Sequence, residues 1–182
     1  MEFERVLDRL LEQFSQEHVR WAVIGGFAMG ALGAARATAD LDFLVHRDDM
    51  QRVHVMLEQL GYRRIHHSEN VSQYDNADAA WGSLDFIHAF RPLALEMLER
   101  ALKKPLLKGR CILRVLRAED VIGLKIQALT NDPARRMREL ADIESLIEAN
   151  QQSLDWERLK SYFDLFELQT VYADLKSRFG HA

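Results

Sequence analysis

At 182 residues the chain suits one domain, or one domain with a small appendage, and can bury a core without disulfide staples. Its 48% hydrophobic and 29% charged residues are those of an ordinary globular protein, and a formal net charge of −4 excludes a bulk basic surface for gripping nucleic acid. The single cysteine, Cys111 in the apolar stretch CILRVL, excludes a disulfide within the chain, and no apolar run reaches the roughly 18 residues of a membrane span, so the expectation is a cytoplasmic protein with no membrane partner.

The first residues, MEFERVLDRLLEQF, are acidic and amphipathic rather than signal-like. Phe3, Val6, Leu7, Leu10, Leu11 and Phe14 recur at helical spacing and predict a helix over 2–18. WAVIGG then reads as a short buried strand ended by a turn, and FAMGALG (27–33) as a short helix of small residues. DLDFLV is a second strand. Asp48 is placed to cap a helix carrying Met50, Val53, Leu57 and Leu60 and stopped by Gly61. YRRIHH, VSQYD and GSLDFIHAF predict three more strands. Pro92 opens a helix over about 92–102, and KGRCILRVL forms a further strand. Helices follow over 118–130, over 133–149 with Asp132 as cap, over 154–165 and over 167–178. The expected architecture is thus an α/β core over 1–116, a mixed sheet with flanking helices, and a helical part over 117–182 packed on it.

Two aspartates interrupt the second strand. Residues two apart on a strand share a face, so Asp40 and Asp42 are expected to project together, with Cβ atoms about 6–7 Å apart. At an effective dielectric near 20 such a pair repels by roughly 2–3 kcal/mol. Asp85, in SLDFIHA, sits in the same setting: one carboxylate among strand formers. If its strand lies beside the first, three negative charges converge, and no lysine or arginine close in sequence neutralises them. A divalent cation would, since magnesium takes carboxylate and phosphate oxygens. A D-x-D alone also marks a turn or a solvated strand end.

Gly25 and Gly26 end the first strand and lead into a helix. Glycine admits positive φ and close approach of a ligand, and the helix start offers N–H groups to an anion. The same pair also suits a tight strand–helix turn that needs glycine for sterics alone. A dinucleotide fold is excluded, because GGFAMGALG lacks the G-x-G-x-x-G spacing.

A glycine pair after an apolar strand, a short helix and then D-x-D resembles the nucleotidyltransferase superfamily related to DNA polymerase beta. The fuller string WAVIGGFAMGALGAARATADLDFLV is similar to the AbiEii-like nucleotidyltransferases, whose G-G-x-A, R-x-T and D-h-D elements fall here on Gly25, Gly26, Ala28, Arg36, Thr38, Asp40 and Asp42. Their helical lysine falls on Lys125 in EDVIGLKIQAL, and their R-x-K-D-x-x-D element on Arg136, Arg138, Glu139 and Asp142. The departure is Arg138–Glu139 in place of Lys–Asp, which keeps charge but not length or geometry.

The resemblance covers most of 20–145. It implies a Mg2+- or Mn2+-dependent transfer of a nucleoside monophosphate from an NTP to a hydroxyl on tRNA, a protein or a small molecule. Asp40, Asp42 and Asp85 would hold the metal, and Asp85 would also activate the acceptor. Gly25 and Gly26 would cradle the β- and γ-phosphates. Lys125 would neutralise the triphosphate, its alternative being a surface lysine on an amphipathic helix. Arg36 and Thr38 would contact phosphate or brace the loop. Asp142 would orient Lys125 or act on the acceptor, or stand as a surface carboxylate in an ion pair. Relatives of this kind serve as toxins with a cognate antitoxin. The rival reading is a binding module of the same fold without catalysis.

Other candidates carry less. His66, His67 and His88 lack the spacing of a zinc site and read as surface or strand histidines. Trp81 reads as a core or rim aromatic, and ARRMR (134–138) as a solvated helix face.

Overall fold

The computed structural model describes residues 2–34, 36–106 and 109–180. Backbone contacts divide the chain into two units: 1–28 with 37–116, and 29–36 with 117–182.

In the first unit, α1 (Phe3–Gln16) presents Val6, Leu7, Leu10 and Phe14 as one buried stripe. The strands are β1 (Trp21–Ile24), β2 (Leu41–His46), β3 (Tyr62–His67), β4 (Val71–Asn76), β5 (Leu84–Ala89), β6 (Leu102–Leu106) and β7 (Cys111–Val115). They form one sheet in the order β3-β4-β5-β2-β1-β7-β6. β2 runs antiparallel to β1 and parallel to β5, and β4 is antiparallel to β5. Alternation sorts the side chains. Phe43 and Phe86, stacked 5.4 Å apart, join Phe14, Trp21 and Tyr74 in an aromatic core on one face of the sheet. The residues between them, Asp42 and Asp85, therefore point to the other face.

Two expectations need correction here. β6 was not expected: the helix ends early, with α4 at Pro92–Glu99, and LKKPL pairs antiparallel with β7. Its Pro105 lacks an N–H and is tolerated because β6 lies at the sheet edge. Lys108, at the head of the predicted strand KGRCILRVL, lies outside the described residues. Asp48 caps nothing: His46 accepts the Asp48 N–H, a 3₁₀ turn covers 47–49, and α3 (Met50–Gln59) begins after it. Asp49 is instead the buried carboxylate, bound by the backbone N–H and guanidinium of Arg20 at 2.8–2.9 Å and by Arg52 at 2.5 Å.

α2 (Gly25–Ala31) carries the chain from the first unit into the second. The second unit continues with α5 (Ala118–Asn131), α6 (Arg136–Asn150), α7 (Trp156–Leu165) and α8 (Gln169–Phe179). The predicted helix over 133–149 begins as a 3₁₀ turn at 133–135, where Asp132 accepts the Ala134 N–H at 3.0 Å. Gly123 lets α7 come close: a Cβ there would lie 2.9 Å from the Tyr162 ring. Tyr162 donates to the buried Asp120 at 2.5 Å. Among the described residues, no helix is long and apolar enough to cross a membrane.

Candidate active site

The glycine bend and the carboxylates belong to the first unit. Gly25 has φ +62°, a left-handed conformation that side-chain-bearing residues rarely adopt. A Cβ on Gly25 would lie 2.0 Å from Asp42 Oδ2, and one on Gly26 would lie 2.8 Å from the Thr38 Cβ. The pair thus admits the Asp42 carboxylate and the Thr38 side chain against the backbone. Steric need, one of the two readings of the glycines, is met by these residues themselves. Thr38 Oγ1 in turn donates to the Asp40 carbonyl at 3.1 Å, bracing the approach to β2.

Asp42 and Asp85 are register partners on the parallel strands β2 and β5. Their backbones are therefore one strand spacing apart, about 4.8 Å. Both are half-buried. Asp40 departs from the expected geometry: it is exposed and lies in the bend before β2, so strand alternation does not set its direction. Its charge still reaches Asp85. Burial, and then the negative charge of Asp40, push the Asp85 carboxyl above the usual range, against a hydrogen bond from Gln73. Gln73 Nε2 donates to Asp85 Oδ1 at 3.1 Å. Among the described residues, no three His, Cys, Asp or Glu side chains stand close enough together to form a ready metal cage.

Gln73 was not singled out in the sequence. The signal was faint: in VSQYD, Gln73 and Asp75 are the polar residues of the face that Tyr74 does not share, but their partners depend on register. The histidines show no metal arrangement. His88 is buried, accepts or donates at Ser72 Oγ over 3.0 Å and meets the Glu69 carbonyl at 2.9 Å, and His67 reaches the same Ser72 hydroxyl at 2.9 Å. Burial holds the His88 imidazole below its usual pKa. Trp81 packs edge-on against Tyr62 at 6.0 Å.

Arg36, Lys125, Glu139 and Asp142 belong to the second unit, where they form one network. Lys125 is buried, which overturns the surface-lysine alternative. Its Nζ donates to Glu139 Oε2 at 2.9 Å and to Asp142 Oδ2 at 2.6 Å. Arg36 donates to the same Asp142 oxygen, and Arg135 to Glu139 Oε1 at 2.6 Å. Burial raises the pKa of Glu139, but Lys125 and Arg135 outweigh it and hold the carboxyl below its usual value. Asp142 is likewise buried, which overturns the surface-carboxylate alternative. Arg138 is exposed, so the Lys-to-Arg departure from the motif falls outside the network, while the Asp-to-Glu departure falls inside it.

A seven-stranded mixed sheet flanked by helices, with a glycine bend and register-paired aspartates at one end of its central strands, defines a nucleotidyltransferase-type fold. The chain belongs to the family described as "uncharacterised nucleotidyltransferase", whose model it matches over residues 1–174. No curated protein matches it. Among solved structures it is similar to the antibiotic-resistance factor ANT(2'')-Ia in solution, with TM-score 0.66, 16% identity and coverage of 100% of both chains. It is similar also to ANT(2'')-Ia in complex with adenylyl-2''-tobramycin (TM-score 0.65, 15% identity, 91% of this chain and 97% of that one). The lincomycin-bound lincosamide adenylyltransferase LnuA gives TM-score 0.52 at 16% identity, over 79% of this chain and 95% of that one.

Proposed function

We propose that the protein transfers a nucleoside monophosphate from an NTP to a hydroxyl of a small molecule and releases pyrophosphate. The observation that carries this reading is the register pairing of Asp42 with Asp85 on parallel strands, with the glycine bend closing against Asp42. A net charge of −4 supports a small acceptor over tRNA or another long nucleic acid. Likeness in size and fold to ANT(2'')-Ia, seen with an adenylylated aminoglycoside, supports the same choice. A protein side chain, the third class of acceptor, is one arm of the test below.

The donor set fits magnesium. It is all carboxylate oxygen, and the ion is commonly held by one or two carboxylates plus substrate phosphates rather than by a protein cage. Asp42 and Asp85 would hold it, with Asp40 adding charge. When bound, the ion neutralises phosphate charge and polarises the α-phosphorus. The residues of the chain do the rest. The Gly25–Gly26 bend would receive the β- and γ-phosphates beside Asp42 and Thr38, whose side chains take the space that a Cβ on either glycine would fill. The Asp85 carboxylate takes the acceptor's proton as its oxygen bonds to the α-phosphorus and the bond to the β-phosphate oxygen breaks. Proximity and alignment supply much of the rate. Arg36 and Lys125, tied to Asp142, act in this reading by holding one another within the second unit rather than by touching phosphate. The toxin role, with an antitoxin as partner, rests on the AbiEii-like motifs alone.

The test is incubation with each of four labelled NTPs and Mg2+ or Mn2+, against panels of hydroxylated small molecules, tRNA and a protein extract. Label in a small molecule with stoichiometric pyrophosphate is the expected result. Label in tRNA or protein would replace the acceptor, and no consumption of any NTP would overturn the transferase.

A further inference from the structure

Strand order and register place three side chains in line across one face of the sheet. Asp42 of β2 lies beside Asp85 of β5, and Asp85 lies directly opposite Gln73 of β4. Directly opposed residues of an antiparallel pair have Cβ atoms about 4.5–5.5 Å apart, within reach of a glutamine amide. The contact is made: Gln73 Nε2 meets Asp85 Oδ1 at 3.1 Å. Because β4 and β2 flank β5, the amide reaches Asp85 from the side away from Asp42.

The chemistry of the side chain matters as much as its place. A glutamine donates to a carboxylate without adding charge. A lysine or arginine in its place would compete with a cation for Asp85. A glutamate would repel the carboxylate already there.

We infer that Gln73 is a positioning residue for Asp85, fixing the rotation of its carboxylate so that the side toward Asp42 stays open to a divalent cation and to the acceptor hydroxyl. The inference rests on the transferase reading for what the carboxylate then does, but not for the positioning itself. Outer partners of metal-binding carboxylates of this kind typically contribute about 10–100-fold in metal affinity or activity.

The test is a double-mutant cycle read by Mn2+ affinity, measured from the free Mn2+ electron paramagnetic resonance signal in the presence of imidodiphosphate, which supplies a phosphate tail without a base. Q73L is expected to weaken Mn2+ by 10-fold or more, with Q73N weakening it less. D85N should weaken it as well, and adding Q73L to D85N should cost nothing further, because Gln73 acts through Asp85. Circular dichroism checks that each variant is folded. Mn2+ affinity of Q73L within twofold of wild type, or additive effects of Q73L and D85N, would overturn the inference. Coupling in the cycle without consumption of any NTP would sink the transferase and leave Gln73 in its role. Consumption of NTP with no coupling would do the reverse. Failure of the wild type to bind Mn2+ in this form would sink both.

Discussion

Substituting Gly25 by alanine separates a cost in stability from a cost in function. The backbone at Gly25 has φ +62°, and holding an alanine there costs about 1–2 kcal/mol. The loss of glycine's freedom in the unfolded chain returns about 0.4–1 kcal/mol. The net destabilisation is therefore about 1 kcal/mol, a fall in Tm of about 3 °C for a chain of this size. The functional cost is larger. The new Cβ would sit 2.0 Å from Asp42 Oδ2 and 2.6 Å from its Cγ, both inside the 3.0 Å floor for such contacts. The carboxylate is the mobile partner, so it swings away. A displacement of about 1 Å in a reacting constellation costs on the order of 100-fold in turnover. The assay pairs thermal unfolding with NTP consumption. Gly30→Ala is the control, because nothing lies within 4 Å of the Cβ it would add. It should raise stability by about 0.4–1 kcal/mol and leave turnover unchanged. Turnover of Gly25→Ala within threefold of wild type would refute the claim that the glycine exists to admit Asp42.

Three further outcomes are expected. Lys125→Met leaves Glu139 and Asp142 without their shared buried cation and should cost about 3–5 kcal/mol in urea unfolding; a loss under 1 kcal/mol would mean that Arg36 and Arg135 suffice. Asp85→Asn removes the proton acceptor and should lower turnover by about 10²–10⁴-fold with the fold intact by circular dichroism, so retained turnover would remove Asp85 from its role. At Asp49 burial works to raise the pKa, but bonds from Arg20 and Arg52 outweigh it and hold the carboxyl at about 2, below its reference value of 3.8. A depressed pKa gives stability that is present above the reference value and lost as pH falls through the folded one. Wild type should therefore lose up to about 2 kcal/mol between pH 4 and 2 that Asp49→Asn does not lose, and parallel acid-unfolding curves would contradict the pairing.

Much of this protein was determined by patterns among near neighbours. The stripe of α1, the Pro92 start of α4 and the stop at Gly61, with its φ of +84°, follow from spacing and local backbone preference. So does the strand character around Asp42 and Asp85, since alternation fixes that they face away from Phe43 and Phe86. Asp40 shows where such reasoning ends: strand parity does not apply to a residue in the bend before β2. Which strand lies beside which is a choice among distant segments, and only tertiary structure makes it. Parallel pairing of β2 with β5 brings Asp85 next to Asp42 across 43 positions, and antiparallel β4 then delivers Gln73. The edge place of β6 makes a proline tolerable in a strand. Packing within the helical unit decides against a surface place for Lys125, the alternative to a phosphate-facing one, and makes it a buried cation shared by two carboxylates. The physical reason is common to all three. Local preferences act through the few residues on either side, whereas burial, register and charge pairing are long-range and settle only when the whole unit has closed.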